Sequence, residues 1–466
     1  MRSPSAASCS RTIPEAHAGN EVAATVPDIR TELPGPKARD IIARDRARVS
    51  TSYTRDYPLV IAKGRGAVVE DVDGNVFLDC TAGIAVASTG HSHPEVVKAI
   101  TDQAQKFLHM SGTDFYYELQ AQLGEQVADI VPMAGPHRSF FSNSGTEANE
   151  AALKLAKFAT GRHNAIAFFG AFHGRSMGSL SLTASKVRQR QGFGPLVPGV
   201  YHAPYPDVYR SGLSPDATAD RCIDFIEEQL FVHLVAPDEV AAIVVEPIQG
   251  EGGYIVPPDS FLERLRAIAT EHGIQLIVDE VQSGMGRTGK MFAIEHARVA
   301  PDIITMAKGI ASGLPLGVTT APSILMGSWP PGSHASTFGG NPVSCASALA
   351  TIRLLRDSLV KNAEVVGSYL IEGARALMNK HPLIGDVRGR GLMVGIELVR
   401  DRVTKERATT ERDALVRECF TRGLLVLGAG RNAVRLSPPL VLTRQEADIA
   451  LRILDEALAA VRGGRL

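Results

Sequence analysis

Short apolar runs separated by helix-length stretches constrain this chain more than any other feature. They lie at 139–141, 165–169, 241–245, 275–279, 302–305 and 317–321. Together they are rich in Val, Ile and Phe, and turn residues bound them. Strands that read as continuous apolar runs are buried on both faces, and parallel neighbours need a crossover long enough to hold a helix. The pattern predicts an α/β fold with a mostly parallel sheet between layers of helices. Pro94 opens one such helix, and 116–131 supplies another.

Flanking this region the texture differs. GAVVEDVDGNVFLD alternates apolar and polar residues around Asp73-Gly74, a hairpin signal. Beyond residue 343, helical patterns cover 344–379, strands are expected at 392–398 and 433–437, and amphipathic helices near 408–421 and 444–461. This reads as a smaller α+β domain. The Pro- and Gly-rich segments 196–218 and 327–334 read as loops. The expected division is a poorly ordered tail over 1–30, an N-terminal segment 31–90 packing with the small domain, a large domain 91–343 and a small domain 344–466.

Composition removes several function classes. In 466 residues, 49 Lys and Arg face 50 Asp and Glu, leaving a net charge of −1. That balance offers no bulk attraction to nucleic acid or anionic membrane. No run approaches the roughly 20 apolar residues that span a bilayer. The cysteines, Cys9, Cys80, Cys222, Cys345 and Cys419, are scattered without a CxxC, which fits a reducing compartment better than a disulfide framework. The N-terminus has no apolar core of signal-peptide type, and Glu15 and Glu21 count against a transit peptide. A cytoplasmic protein is expected.

Three segments carry chemistry. SFFSNSGTEANEAALKLA joins a strand to a helix through Ser144, Gly145 and Thr146; exposed N–H groups at such a helix start suit an anion such as phosphate, while an ordinary capped helix would read the same way. QLIVDEVQSGMGRTGK contains Gly284, Gly286 and Gly289, a GxGxxG that opens a nicotinamide-dependent dehydrogenase as a reading from a different class. Asp279-Glu280 sit where its turn should begin and no strong helix follows, so the fingerprint is out of context. DIITMAKGIASG places Lys308 among apolar neighbours, where desolvation would free its amine to act as nucleophile or base; the alternative is a lysine whose stem lies on apolar surface and whose amine reaches water. A phosphate cradle, the strand-end Asp279, Lys308 and the aromatic Phe172 are together what pyridoxal phosphate needs: a helix N-terminus, a carboxylate for the ring nitrogen, a ring to stack on and a lysine for a Schiff base.

With DCTAGIAVASTGHSHPEVV, AFHGRSMGSLSLT, VVEPIQGEGGY, HASTFGGNPV and VRLSPPL also present, the chain resembles the class III pyridoxal-phosphate-dependent aminotransferases of fold type I, the 4-aminobutyrate, ornithine and acetylornithine group, from about residue 64 to about residue 459. The resemblance implies that Ser144, Gly145 and Thr146 hold the phosphate, and that Phe172 and Val281 pack on the two ring faces. It implies that Asp279 pairs with the ring nitrogen, Gln282 bonds the phenolic oxygen, and Lys308 carries the cofactor and shuttles a proton. Thr337 would reach the phosphate of a neighbouring subunit, making a homodimer with shared sites; association of two dimers stays open. Arg435 would bind the α-carboxylate, Glu246 would cover Arg435 when a substrate lacks one, and Arg175 would bind the distal carboxylate. For Glu246 and Arg435 a structural ion pair, and for Arg175 a surface cation, remain as alternatives.

For the substrate, Ile84 stands where the ornithine enzymes of this family carry a tyrosine, which favours 4-aminobutyrate as amino donor with 2-oxoglutarate as acceptor. HGRS and AKGIASGLPLG also occur in relatives that racemise amino acids. A broad-specificity racemase, an ornithine/lysine ω-aminotransferase and a family member without catalysis therefore stay as alternatives. His91 and His93 have metal-ligand spacing but no Cys or carboxylate cluster joins them, so helix-entry packing ahead of Pro94 is the reading and no metal is expected. Gly389, Gly391 and Gly395 read as backbone turns.

Overall fold

The computed structural model describes residues 26–462. The first sheet is the expected hairpin extended: β1 (Ile61–Arg65), β2 (Val68–Asp71) and β3 (Val76–Asp79) pair antiparallel. Asp71 closes the turn by accepting from the Asp73 and Asn75 backbone N–H groups at 2.9 and 2.8 Å. Leu424–Leu425 from the far C-terminal part adds a parallel fourth strand on β3. Of the expected tail, 1–25 lie outside the described residues. The remainder is not loose, because Asp28 exchanges backbone hydrogen bonds with Val76 at 3.0 and 2.8 Å.

The central sheet comprises β4 (His137–Ser142), β5 (Asn164–Phe168), β6 (Val200–Ala203), β7 (Val240–Val245), β8 (Gln275–Asp279), β9 (Ile303–Met306) and β10 (Gly317–Pro322), in spatial order β4-β10-β9-β8-β7-β5-β6. Strands β9, β8, β7, β5 and β6 run parallel; β10 alone is antiparallel to both its neighbours. Every residue of β7 and of β9 is buried, as strands covered on both faces must be. The edge strand β6 lies inside the segment expected to be a loop. Its VYHA is too short and too mixed to stand out, and pairing with β5 is what makes it a strand.

The C-terminal part is built on an antiparallel sheet of Ile384–Arg390, Met393–Asp401, Ala433–Leu436 and Leu427–Ala429. The strand at 384–390 was not expected, since its burial is intermittent and five of its residues are Gly or charged Arg and Asp. The helix Pro342–Leu354 continues through a π turn into the helix Val360–Lys380. The GxGxxG segment forms turns against that second helix: a Cβ on Gly289 would lie 2.9 Å from the Glu364 Cα. Arg287, within it, is 1% exposed and donates to the carbonyls of Leu392 and Pro438. These glycines serve close packing. Cys80, Cys222, Cys345 and Cys419 are buried free thiols. Among the described residues no helix is long and apolar enough to cross a membrane.

Candidate active site

The parallel strands end on one side of the sheet, and their C-terminal ends surround a cavity of about 420 Å³. Crevices outside the carboxyl ends of parallel strands are where α/β folds bind ligands. Ser144, Gly145 and Thr146 follow β4, Phe172 and Arg175 follow β5, and Glu246 follows β7. Asp279, Val281 and Gln282 close β8, and Lys308 follows β9; all line the cavity.

The helix Gly145–Thr160 points its N-terminus at this space. Ser144 caps it, accepting from the Glu147 N–H at 3.3 Å, while Glu147 accepts from the Asn143 backbone and amide. Gly145 has no room for a side chain, since a Cβ would sit 2.7 Å from Val281 Cγ1. Thr146 Oγ1 meets Ser176 Oγ at 2.7 Å and accepts from the Arg175 and Ser176 N–H groups at 3.2 Å, which anchors the loop carrying Arg175. Arg175 is exposed, with its guanidinium 5.7 Å from the Phe172 ring centre.

Asp279 is 3% exposed, and its oxygens accept three hydrogen bonds. His173 Nδ1 and Asn149 Nδ2 each donate to Oδ2 at 2.7 Å, and the Val281 N–H donates to Oδ1 at 3.0 Å. Asn149 is itself fixed, accepting from Thr305 Oγ1 at 2.8 Å and donating to the His173 carbonyl. Burial opposes a charge on His173, yet the hydrogen bond and the charge of Asp279 raise its pKa above the ordinary value. Sequence reasoning missed His173 and Asn149. The available signals were the histidine inside AFHGR and one amide in an otherwise small and apolar helix face.

Lys308 adopts a left-handed backbone, φ +46°, at the end of β9. Burial lowers its pKa, and the carboxylates of Asp279, Glu251 and Glu246 only partly offset that, so the amine loses its proton more readily than a solvated lysine.

One assignment needs correction. Glu246 does not meet Arg435. Its carboxylate accepts from the Phe172 and Gly250 backbone N–H groups, both at 3.0 Å, and burial pushes its pKa up to about 7. The partner of Arg435 is Glu251, five residues on in the same motif, with Oε1 2.8 Å from Arg435 Nη1. The turn at 249–254 brings Glu251 to the C-terminal sheet, while Glu246 stays just past the end of β7. Against the burial that raises it, the charges of Arg435 and Lys186 bring the Glu251 pKa down to about 2. Arg435 also lies 3.5 Å from Gln282 Oε1.

Three expected residues do not line the cavity of their own chain: Arg435, which stands behind Gln282, Thr337 and Ile84. Thr337 is exposed on the loop preceding the helix Pro342–Leu354. Ile84 is 47% exposed and sits in a left-handed turn, φ +69°, while Val86 lines the cavity in its place. Asp79 supports this turn by accepting from Thr81 and Ala82 N–H groups, and its other oxygen lies 2.7 Å from His91 Nε2. His93 caps the helix Pro94–Ala104 through Nδ1. Among the described residues no group of three His, Cys, Asp or Glu is placed to hold a metal ion.

Glu280, beside Asp279, is fully buried and accepts from Ser283 Oγ at 2.6 Å and the Ile294 N–H at 2.8 Å. Burial pushes its pKa from 4.5 up to about 7. The folded chain thus holds this proton more tightly than the unfolded chain. The resulting stability is complete below about pH 4.5 and is lost as pH rises through about 7. Glu280→Gln keeps an acceptor and cannot ionise. Its denaturation midpoint should match the parent at pH 4.5, and at pH 8 the variant should be more stable by about 1–3 kcal/mol. Parallel stability curves would reject the assignment.

The residues fit pyridoxal phosphate: a capped helix N-terminus without a side chain at Gly145, an aromatic wall, a buried carboxylate and a low-pKa amine share one cavity. Comparison with known proteins agrees. The family model for class-III aminotransferases matches residues 50–458. An alanine/serine racemase of Pyrococcus horikoshii is 38% identical, covering 94% of each chain. A 4-aminobutyrate aminotransferase of Mycobacterium tuberculosis is 40% identical over 92% of this chain and 97% of its own. An amine transaminase from an uncultivated Pseudomonas species, solved in its PLP-bound form, superposes with a TM-score of 0.82 at 32% identity, over 93% of this chain and 99% of that one. The chain belongs to the class III aminotransferase family, enzymes of fold type I whose cofactor is pyridoxal 5′-phosphate.

Proposed function

We propose that this protein is an ω-aminotransferase that takes the amino group of an ω-amino acid, 4-aminobutyrate foremost, and gives it to 2-oxoglutarate in a ping-pong cycle. The observation that carries the reading is the buried Arg435–Glu251 pair at 2.8 Å. An enzyme acting only on α-amino acids needs its carboxylate-binding arginine free in every turnover. One that also accepts donors without an α-carboxylate needs that arginine neutralised part of the time, because an unpaired buried charge is strongly unfavourable. Glu251 takes the covering role first read onto Glu246, and Glu246 holds the Phe172 and Gly250 backbones in register.

Bound in the cavity, pyridoxal phosphate supplies a ring that accepts the electron pair released at the amine-bearing carbon. The chain's own residues do the rest. The N-terminus of the helix Gly145–Thr160, with Ser144 and Thr146, binds the phosphate. Phe172 and Val281 would hold the ring, Gln282 would bond its phenolic oxygen, and Asp279 would keep its nitrogen protonated. The low-pKa amine of Lys308 would hold the cofactor and move a proton at the substrate carbon. Arg175 binds the distal carboxylate, and Val86, which lines the cavity where Ile84 does not, borders the donor. Thr337, exposed in one chain, serves the phosphate of a second copy, which makes a homodimer with shared sites. Residues 31–90 and 344–462 act as one body against 91–343.

Racemisation is a second reading, favoured by the 38% identity to the Pyrococcus racemase. Half-reactions of the purified, cofactor-loaded protein followed by absorbance separate the two. Under the proposal, 4-aminobutyrate bleaches the near-visible band and 2-oxoglutarate restores it. Scrambling of L- or D-leucine without keto acid would overturn it in favour of racemisation.

A further inference from the structure

Glu251 touches two cations, not one. Its Oε1 lies 2.8 Å from Arg435 Nη1 and its Oε2 lies 3.2 Å from Lys186 Nζ. The two differ in setting: the Arg435 side chain is 6% exposed, that of Lys186 43%. The Glu251 side chain, at 16%, cannot be left without a partner at low cost when a substrate carboxylate takes Arg435.

The main chain around Glu251 has little freedom to carry the carboxylate away. The Gly430 N–H donates to the Glu251 carbonyl at 2.8 Å. Arg388, itself held by Asp386 and Glu397, donates to the Gly253 carbonyl at 2.7 Å and the Tyr254 carbonyl at 3.1 Å. Arg388, Gly395 and Arg435 stand in one row across three strands. The glycine leaves the notch in which the loop sits, since a Cβ there would lie 3.0 Å from Tyr254 Cβ. Opening must therefore be a side-chain rotation about a fixed backbone. Lys186 is equally well placed to receive it: the Ala184 N–H donates to the Ala171 carbonyl at 2.9 Å, and the Gln189 N–H to the Lys186 carbonyl at 3.1 Å. The Lys186 ammonium, a compact charge on a flexible stem, can follow the carboxylate as it rotates.

We propose that Lys186 is the receiving cation of this gate, holding Glu251 whenever a substrate α-carboxylate occupies Arg435. The proposal rests on the gate reading above. It makes Lys186 a positioning residue for the α-carboxylate half of the reaction and a bystander in the ω-amine half.

The test measures half-reactions with L-glutamate and 4-aminobutyrate, and calorimetric binding of glutarate, on the cofactor-loaded protein and its Lys186→Gln, Lys186→Arg and Glu251→Gln variants. Lys186→Gln should weaken apparent affinity for L-glutamate and glutarate about 5–10-fold, change 4-aminobutyrate less than about twofold, and be restored by Lys186→Arg. Because Lys186 is the exposed partner, raising salt should weaken glutamate binding in the parent more than in Lys186→Gln. Equal effects on both substrates, or none on glutamate and glutarate, would overturn the proposal. If Glu251→Gln shifts the glutamate-to-4-aminobutyrate ratio while Lys186→Gln does not, the gate stands and Lys186 has no part in it. If Glu251→Gln leaves the ratio unchanged, the gate itself falls. If the parent does not react with 4-aminobutyrate, glutarate binding decides alone: weakening by Lys186→Gln supports the role, and unchanged binding refutes it.

Discussion

Lys308→Ala should lower turnover by about 10³-fold or more while leaving a folded protein that still binds pyridoxal phosphate. Positioned proton transfer is worth about 10²–10⁴-fold, and loss of the covalent attachment adds to this. Folding should survive, because the substitution removes an amine whose burial already disfavours its charge. The left-handed backbone at φ +46° is as accessible to alanine as to lysine. Cofactor is retained through the helix N-terminus and Asp279, with weaker affinity and an altered near-visible band. Single-turnover rates with 4-aminobutyrate and L-glutamate, beside equilibrium dialysis of the cofactor, separate the two effects. Turnover within tenfold of the parent would remove Lys308 from the chemistry.

Asp279→Asn should cost about 10²–10⁴-fold in kcat/KM, since a fixed charge aimed at the reacting centre in a buried site carries effects of that size. The geometry explains why the isosteric change is severe. Two donors, His173 Nδ1 and Asn149 Nδ2, converge on one oxygen at 2.7 Å. An amide nitrogen there would face both, and an amide oxygen there would put the nitrogen against the Val281 N–H. His173 could take the other tautomer, but its Nε2 is buried without a hydrogen-bond partner. The variant thus loses both the charge and its support. His173→Phe should reproduce part of the loss, chiefly in kcat and its pH profile. An Asp279→Asn enzyme with parental kcat/KM would place the carboxylate outside the ring-nitrogen role.

Much of the molecule was legible from the chain. The apolar runs marked six central strands because a strand buried on both faces has to be apolar along its length, and that requirement is local. The edge strand Val200–Ala203 and the strand Ile384–Arg390 escaped, because pairing with neighbours distant in sequence makes them strands where their own composition does not. Lys308, Asp279 and the turn at Ser144–Thr146 were legible for a similar reason: each must sit at the end of a strand, and strand ends are marked by local sequence.

What the sequence by itself determined was the set of chemical groups, their order and the strand ends that present them. What only the tertiary structure decided was which of them meet. Glu246 and Glu251 lie in one motif, and nothing local distinguishes them as partners for an arginine almost two hundred residues away. The choice belongs to the turn at 249–254, seated in the notch at Gly395 and held by Arg388 and Gly430. Burial and ion pairing depend on contacts between segments remote in the chain. The carboxylate that neutralises Arg435 is therefore fixed by packing.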